Sequence, residues 1–293
     1  MKLGLHLSRW NWDNDPAKLA PKLKDIAALA EDVGFASLSV MDHFFQIPSN
    51  GRPEDNMLEA YTTLGFIAGR TSRIQLGTVV TSPSYRHPGV LVKQVTTLDV
   101  LSEGRAFLGI GAGFYEREHD GLGLRLPPIG ERMQRLEETL LIALQMWSGD
   151  VNEHEGRHYH LREMLNVPAS VTRPHPPILI GGGGERKTLR IAAKYANAVN
   201  FFGAIGREQL QHKLDVLSAH CEAEGTDYDA IEKTVQVQFN VGPGGESTET
   251  VVERVAGLAE LGFTRAIGSV KGVETLQPLE LIGRHVIPAV ADL

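Results

Sequence analysis

The chain has 293 residues, 29 Lys and Arg against 36 Asp and Glu, a formal net charge of −7 and one cysteine. A lone Cys221 excludes an intramolecular disulfide or a zinc ribbon, and the acidic balance argues against a dedicated nucleic-acid or anionic-membrane binder. No stretch approaches the ~18 apolar residues of a membrane span, and the first residues lack a signal-like apolar region, so a cytoplasmic protein is expected.

Short apolar runs alternate with helix-length segments from end to end. In chain order the predicted strands are Leu3–Ser8, Ser37–Asp42, Ile74–Thr81, Ala106–Gly111, Ile178–Gly181, Ala198–Phe202, Thr234–Val241 and Arg265–Ser269. Between them helices are predicted over Leu19–Val33, Met57–Gly69, Pro88–Leu101, Arg132–Met146, Glu185–Tyr195, Arg207–Glu224, Thr250–Leu261 and Pro278–Ala291. Eight strand–helix units that start on a strand favour an α/β fold of the (β/α)8 TIM-barrel type, one domain over 1–293, rather than an open doubly wound sheet. Two helix ends echo each other, Glu31–Phe35 and Ala259–Phe263, and each puts a glycine where a residue past a helix end needs positive φ. Residues 148–177 lack helical period and exceed ordinary loop length. They read as an excursion with a hairpin around Glu155–Gly156.

Three motifs fail on context. Gly109, Gly111 and Gly113 do not complete a dinucleotide fingerprint, because Phe114 stands where its third glycine belongs. Gly181–Thr188 approaches a phosphate-binding P-loop but has Arg186 in place of the glycine before lysine. His154-Glu155-Gly156-Arg157-His158 matches the zinc-peptidase pattern letter for letter. That chemistry needs a helix to bring both histidines to one face, and Gly156 with extended flanks argues for a turn; no metal is expected.

In a barrel the chemistry sits where strands end. The second strand ends at Asp42-His43, and a histidine there can act as base, proton donor or anion partner. The third ends in small and β-branched residues, Val79-Val80-Thr81, suited to a flat ligand. The fourth carries alternating glycines that weaken a strand unless backbone or ligand comes close. The charged run after it, Tyr115–His119, reads as a solvated loop. The fifth ends in four glycines, Gly181 to Gly184, before a helix opening with Glu185-Arg186. Backbone N–H groups there form an anion site, and Arg186 adds positive charge. Polar residues alternating on the first and seventh strands, His6 and Ser8, then Gln236 and Gln238, are candidates to line a pocket.

Four pieces in order, Val40–Phe44, Leu76–Pro88, Thr97–Gly113 and Pro177–Thr188, resemble the luciferase-like monooxygenase superfamily and within it the coenzyme F-420-dependent branch. The resemblance implies a barrel that holds a deazaflavin (8-hydroxy-5-deazaflavin, coenzyme F-420) or, alternatively, FMN against the strand ends. It implies a hydride-transferring oxidoreductase, with an FMN-dependent monooxygenase as the alternative, a small-molecule substrate and a homodimer. A metal-dependent barrel hydrolase built on His154 and His158 is a further reading, and a non-catalytic barrel another that would leave the glycine cup and the inward polar strand ends unexplained. The resemblance also implies a non-proline cis peptide at Val79–Val80 and places His43 beside the cofactor ring. The expected cofactor contacts are Asp42, Val79, Val80, Thr81, Gly111, Ala112, Arg117, Gly181, Gly182, Gly183, Gly184, Glu185 and Arg186. Arg125, Arg132, Lys187 and Arg190 join Arg117 and Arg186 as candidates for the anionic tail. The expected substrate pocket comprises His6, Trp10, Phe45, Phe202 and Gln238. Members acting on sugar phosphates or alcohols carry an acidic residue where Phe114 stands and a tryptophan where Ile47 stands, so the resemblance by itself does not imply those substrates here.

Overall fold

The computed structural model describes residues 1–12 and 15–293. Eight parallel strands close into a barrel: β1 Lys2–Leu7, β2 Ser37–Val40, β3 Gln75–Thr78, β4 Ala106–Ile110, β5 Ile178–Gly181, β6 Ala198–Phe202, β7 Glu232–Phe239 and β8 Arg265–Val270. Each pairs with its sequence neighbours, and β8 returns to β1 through Leu3 opposite Ala266. This is the expected (β/α)8 architecture.

Helices α1 (Leu19–Asp32), α2 (Ala60–Ala68) and α3 (Pro88–Leu101) follow the first three strands. After β4 come α4 (Glu116–Leu122) and α5 (Ile129–Ser148). The rest are α6 (Thr188–Tyr195), α7 (Arg207–Glu224), α8 (Thr248–Ala259), α9 (Gln277–Leu281) and α10 (Ile287–Val290). The main core lies between strands and helices, where Leu5, Leu38, Leu76, Leu108, Ile180 and Val235 meet Ile26, Leu64, Leu91, Leu140 and Leu214. A smaller cluster of Val79, Phe107, Leu179, Ala198 and Ile267 fills the barrel interior, on the alternate strand positions.

The two echoed helix ends close as expected. Gly34 and Gly262 have φ of 101° and 93°, and the N–H of the following Phe35 and Phe263 reaches back to Ala30 O and Leu258 O at 3.0 and 3.3 Å. That six-residue return satisfies carbonyls a helix would leave open.

Three local features depart from the expectations. The charged run is not a loop, since Glu116–Leu122 is helical with Glu118 and His119 fully buried. The last helix is not regular. A π-helical stretch, Ile282–Val286, precedes Pro288, which lacks an N–H and cannot continue the i→i−4 ladder. The regular run of the third strand ends at Thr78, Thr81 bridges Ile110 beyond it, and the Val79–Val80 peptide between them is cis, as the family resemblance implied.

The excursion over 148–177 holds a two-stranded antiparallel hairpin with arms His154–Glu155 and His160–Leu161. The zinc-like letters therefore lie on a turn. His158 Nε2 meets Gln134 Oε1 at 2.9 Å, and buried Glu138 accepts the N–H groups of His158 and Tyr159. No helix among the described residues is long and apolar enough to cross a membrane.

Candidate active site

A cavity of about 860 Å³ opens at the C-terminal ends of the strands, within the size range of small-molecule and cofactor sites. Its floor is Val79, Val80, Gly111 and Gly181. A Cβ on Gly111 or Gly181 would come within 2.8 or 2.7 Å of a Val80 methyl, so both glycines make room for Val80. Gly109 answers to the backbone, because its Cβ would sit 1.8 Å from Thr78 O. Part of the glycine pattern read as ligand approach is thus strand-to-strand packing.

One wall is the strand end Gly181–Gly184 with Thr188. The Gly182 N–H donates to Asn200 O at 3.1 Å, but those of Gly183 and Gly184 have no acceptor among the described residues. Two free N–H groups on a glycine turn fit an anion such as a cofactor phosphate. The opposite wall carries the polar positions foreseen on β1 and β7, His6, Ser8, Gln236 and Gln238, with Asn200 and Ser269 beside them. Phe114 and Phe202, both 61% exposed, stand at the mouth with Ile47.

His6 is buried with its Nδ1 3.0 Å from Ser39 Oγ. Burial without a counter-charge pushes its pKa down from 6.5 to about 4, so the ring is neutral.

His43 projects from the end of β2 into the cavity. Its Nδ1 turns away from the cavity to Glu118 Oε1 at 2.6 Å and Tyr85 Oη at 3.0 Å. Glu118 also accepts the hydroxyl of Tyr85 and the N–H groups of Phe44 and Phe45, the latter two at 2.8 and 3.3 Å. Burial works against the Glu118 charge, but the bonds from His43, Tyr85 and Phe44 outweigh it and hold the carboxyl below its ordinary range. Burial, then the adjacent Glu118, pushes the Tyr85 phenol up, so it is a donor. His119 supports the same loop. Its Nδ1 donates to Tyr115 O at 2.6 Å, its Nε2 meets Ser84 Oγ at 2.8 Å, and its ring stacks on Tyr85.

The cavity gathers most of the expected residues: His6, His43, Val79, Val80, Thr81, Gly111, Ala112, Gly181 to Gly184, Phe202 and Gln238. Six others do not line it. Trp10 is fully buried in the core beside Trp12, ring centroids 5.4 Å apart, and does not reach the cavity. Phe45 packs over Gly121 on α4, since its backbone is tied to Glu118. Asp42 is fully buried and held by Arg86 at 2.5 and 3.0 Å, so its carboxylate is an internal counter-ion. Arg117 pairs with Glu54 at the surface. Glu185 is taken by Lys213. Arg186 turns into a neighbouring hollow of about 340 Å³ lined also by Lys187 and Arg190. Glu118 and Tyr85 are the site residues that sequence reasoning missed.

Barrel and cavity together define a class: the chain belongs to the luciferase-like monooxygenase family, whose model matches residues 1–275. Among curated relatives it is 31% identical over 247 residues to the F-420-dependent glucose-6-phosphate dehydrogenase of Microbacterium testaceum, which covers 83% of this chain and 70% of that protein. Among solved structures it is similar to the coenzyme F-420-dependent tetrahydromethanopterin reductase of Methanopyrus kandleri, with TM-score 0.81, 21% identity and 98% of each chain covered. It is also similar to an F-420-dependent secondary alcohol dehydrogenase, with TM-score 0.83, 17% identity and the whole of each chain covered. At those identities the two structures speak for the fold.

Proposed function

We propose that the protein is an F-420-dependent oxidoreductase that transfers a hydride between the deazaflavin and a small, largely apolar organic substrate. The observation that carries this reading is the pairing of two unsatisfied N–H groups, on Gly183 and Gly184, with a cavity whose other end presents His43. The relative from Microbacterium testaceum supports the choice of cofactor.

When bound, the deazaflavin supplies two-electron hydride chemistry. The chain's part is to bind, orient and move a proton. The free N–H groups of Gly183 and Gly184 would hold the phosphate, Val79, Val80, Gly111 and Ala112 would back the ring, and His43 Nε2 would exchange a proton with the substrate heteroatom. A general acid or base in that position contributes ~10²–10⁴-fold.

Phe114, Phe202 and Ile47 at the mouth support an apolar substrate. The only Lys or Arg on the cavity wall, Arg254, is engaged by Gln238 O and Glu246 at 2.9 Å each, so no free cation awaits a substrate phosphate among the described lining residues. A single-domain, cytoplasmic homodimer with no nucleic-acid or membrane partner belongs to the same proposal, and light scattering in solution tests the dimer.

The functional test is single-turnover absorbance on the F-420-loaded protein, in both directions, against apolar alcohols, ketones and enones and against glucose 6-phosphate. Turnover with a member of the apolar set and none with glucose 6-phosphate is expected. Turnover with glucose 6-phosphate alone would overturn the substrate reading.

A further inference from the structure

We infer that Glu118 is a positioning residue that fixes the tautomer of His43, so that the ring nitrogen facing the cavity carries the exchangeable lone pair. The inference concerns the residue that acts on His43, and it rests on the reading of His43 as the proton-transfer group.

Glu118 is fully buried and ionised, so both its oxygens accept and neither donates. Oε2 takes the N–H groups of Phe44 and Phe45, which fixes the plane of the carboxylate against the backbone that carries His43. Oε1 takes the Tyr85 hydroxyl and faces His43 Nδ1 at 2.6 Å. The single hydroxyl proton of Tyr85 is thereby used on Glu118. Its oxygen, 3.0 Å from the same Nδ1, is left as an acceptor there. Nδ1 therefore faces two acceptors and no donor.

Only a protonated Nδ1 satisfies that arrangement. In the other tautomer the Nδ1 lone pair would lie against a carboxylate lone pair at hydrogen-bond distance in a buried site, and a buried acceptor left unmet is destabilising. Neutral His43 is thus held as Nδ1–H, and Nε2, which has no hydrogen-bond partner among the described residues, presents its lone pair to the cavity. When a substrate hydroxyl gives up hydride from carbon, its proton goes to Nε2. In the reverse direction the same Nε2–H returns it to the oxygen. The proton on Nδ1 never leaves, because Glu118 holds it in both states.

The inference predicts a signature in the cofactor-free protein. Ring ¹⁵N spectra of histidine-labelled protein, with His43 assigned by its loss in His43→Gln, should show neutral His43 as Nδ1–H. Glu118→Gln should release that preference, because an amide can turn its N–H₂ toward Nδ1 and stabilise the other tautomer. Tyr85→Phe should not release it, since Glu118 remains. With F-420 bound, Glu118→Gln should lower the single-turnover rate by ~10²-fold or more while F-420 affinity stays within about threefold; the wrong tautomer of a catalytic histidine costs up to ~10⁴-fold in the serine-protease triad. Neutral His43 found as Nε2–H in the wild type overturns the inference even if no variant folds. So does Glu118→Gln with a wild-type tautomer and rate. An Nδ1–H tautomer in a protein that fails to bind F-420 sustains the Glu118 clamp and removes the cofactor reading instead.

Discussion

Replacing Asp42 by alanine should destabilise the fold and leave the cofactor site nearly untouched. Asp42 stands next to His43 and invites assignment to the ligand, yet its carboxylate is fully buried and bonded to Arg86 Nη1 and Nη2 at 2.5 and 3.0 Å. Arg86 lies over the rings of Tyr61 and Phe44, 5.0 and 5.7 Å from their centroids, with only 9% of its side chain exposed. Removing one member of such a pair leaves the other charge buried, at a cost of about 3–5 kcal/mol. Glu59 also binds Arg86 and compensates in part, which puts the expected loss near about 3 kcal/mol. For a chain of 293 residues, at ~2.1 cal/mol/K of unfolding entropy per residue, that is a fall in melting temperature of about 5 °C. Urea unfolding of the cofactor-free protein measures the first quantity, and F-420 titration at 25 °C, where the variant is still folded, measures the second. A stability loss below about 1 kcal/mol with an affinity loss above tenfold would refute the ion-pair reading and return Asp42 to the ligand.

Gly183→Val should cost little stability, because the new Cβ meets only Lys213 methylenes at 3.6 and 3.9 Å. By crowding the two free N–H groups it should weaken F-420 binding by ~10²–10⁴-fold, the equivalent of about two charge-assisted bonds at ~1.5–3 kcal/mol each; unchanged affinity in a calorimetric titration would dismiss the cup. Acid should destabilise the protein through His6. Its folded pKa of about 4 lies below the unfolded 6.5, so this contribution is complete above pH 6.5 and is lost as pH falls toward 4, about 3 kcal/mol in all. His6→Leu should flatten that part of the pH–stability curve, and an equally steep curve would show that His6 is not the group. His43→Ala should slow single turnover by ~10²–10⁴-fold with F-420 affinity nearly intact, whereas an unchanged rate would remove His43 from proton transfer.

The barrel was legible because apolar runs and helix-length segments alternate in phase, and two helix ends carry the glycine that a left-handed C′ residue requires. That glycines 111 and 181–184 would line the cavity was legible because glycine is costly in strands and turns that need no close approach, although at 111 and 181 the close neighbour is Val80. Glu118 was hidden for a physical reason. The run Glu116-Arg117-Glu118-His119 has no apolar stripe, so nothing local marks a helix or a buried face; its burial comes from His43 and Tyr85, 75 and 33 residues away in sequence. The remaining signal was the histidine itself, since a strand-end imidazole asks for an acidic partner, but the run offers two glutamates and sequence does not choose. Trp10 and Phe45 failed for the same reason in reverse. Both follow a strand into the loop layer, and which way such a ring turns depends on the partner it meets, Trp12 for one and α4 for the other. Arg186 lies in the turn just before α6, beside the glycine turn, yet its side chain lines the neighbouring hollow with Lys187 and Arg190.

The central claim is the cofactor, and equilibrium binding tests it most directly. The purified protein, stripped of bound small molecules, is titrated with F-420 and with FMN under the same buffer and salt, by fluorescence and by calorimetry, with Gly183→Val as the control. Saturable binding of F-420 at one site per chain, at least tenfold tighter than FMN and lost in the control, is the predicted result. Tighter binding of FMN, or F-420 binding that Gly183→Val leaves unchanged, would contradict the account.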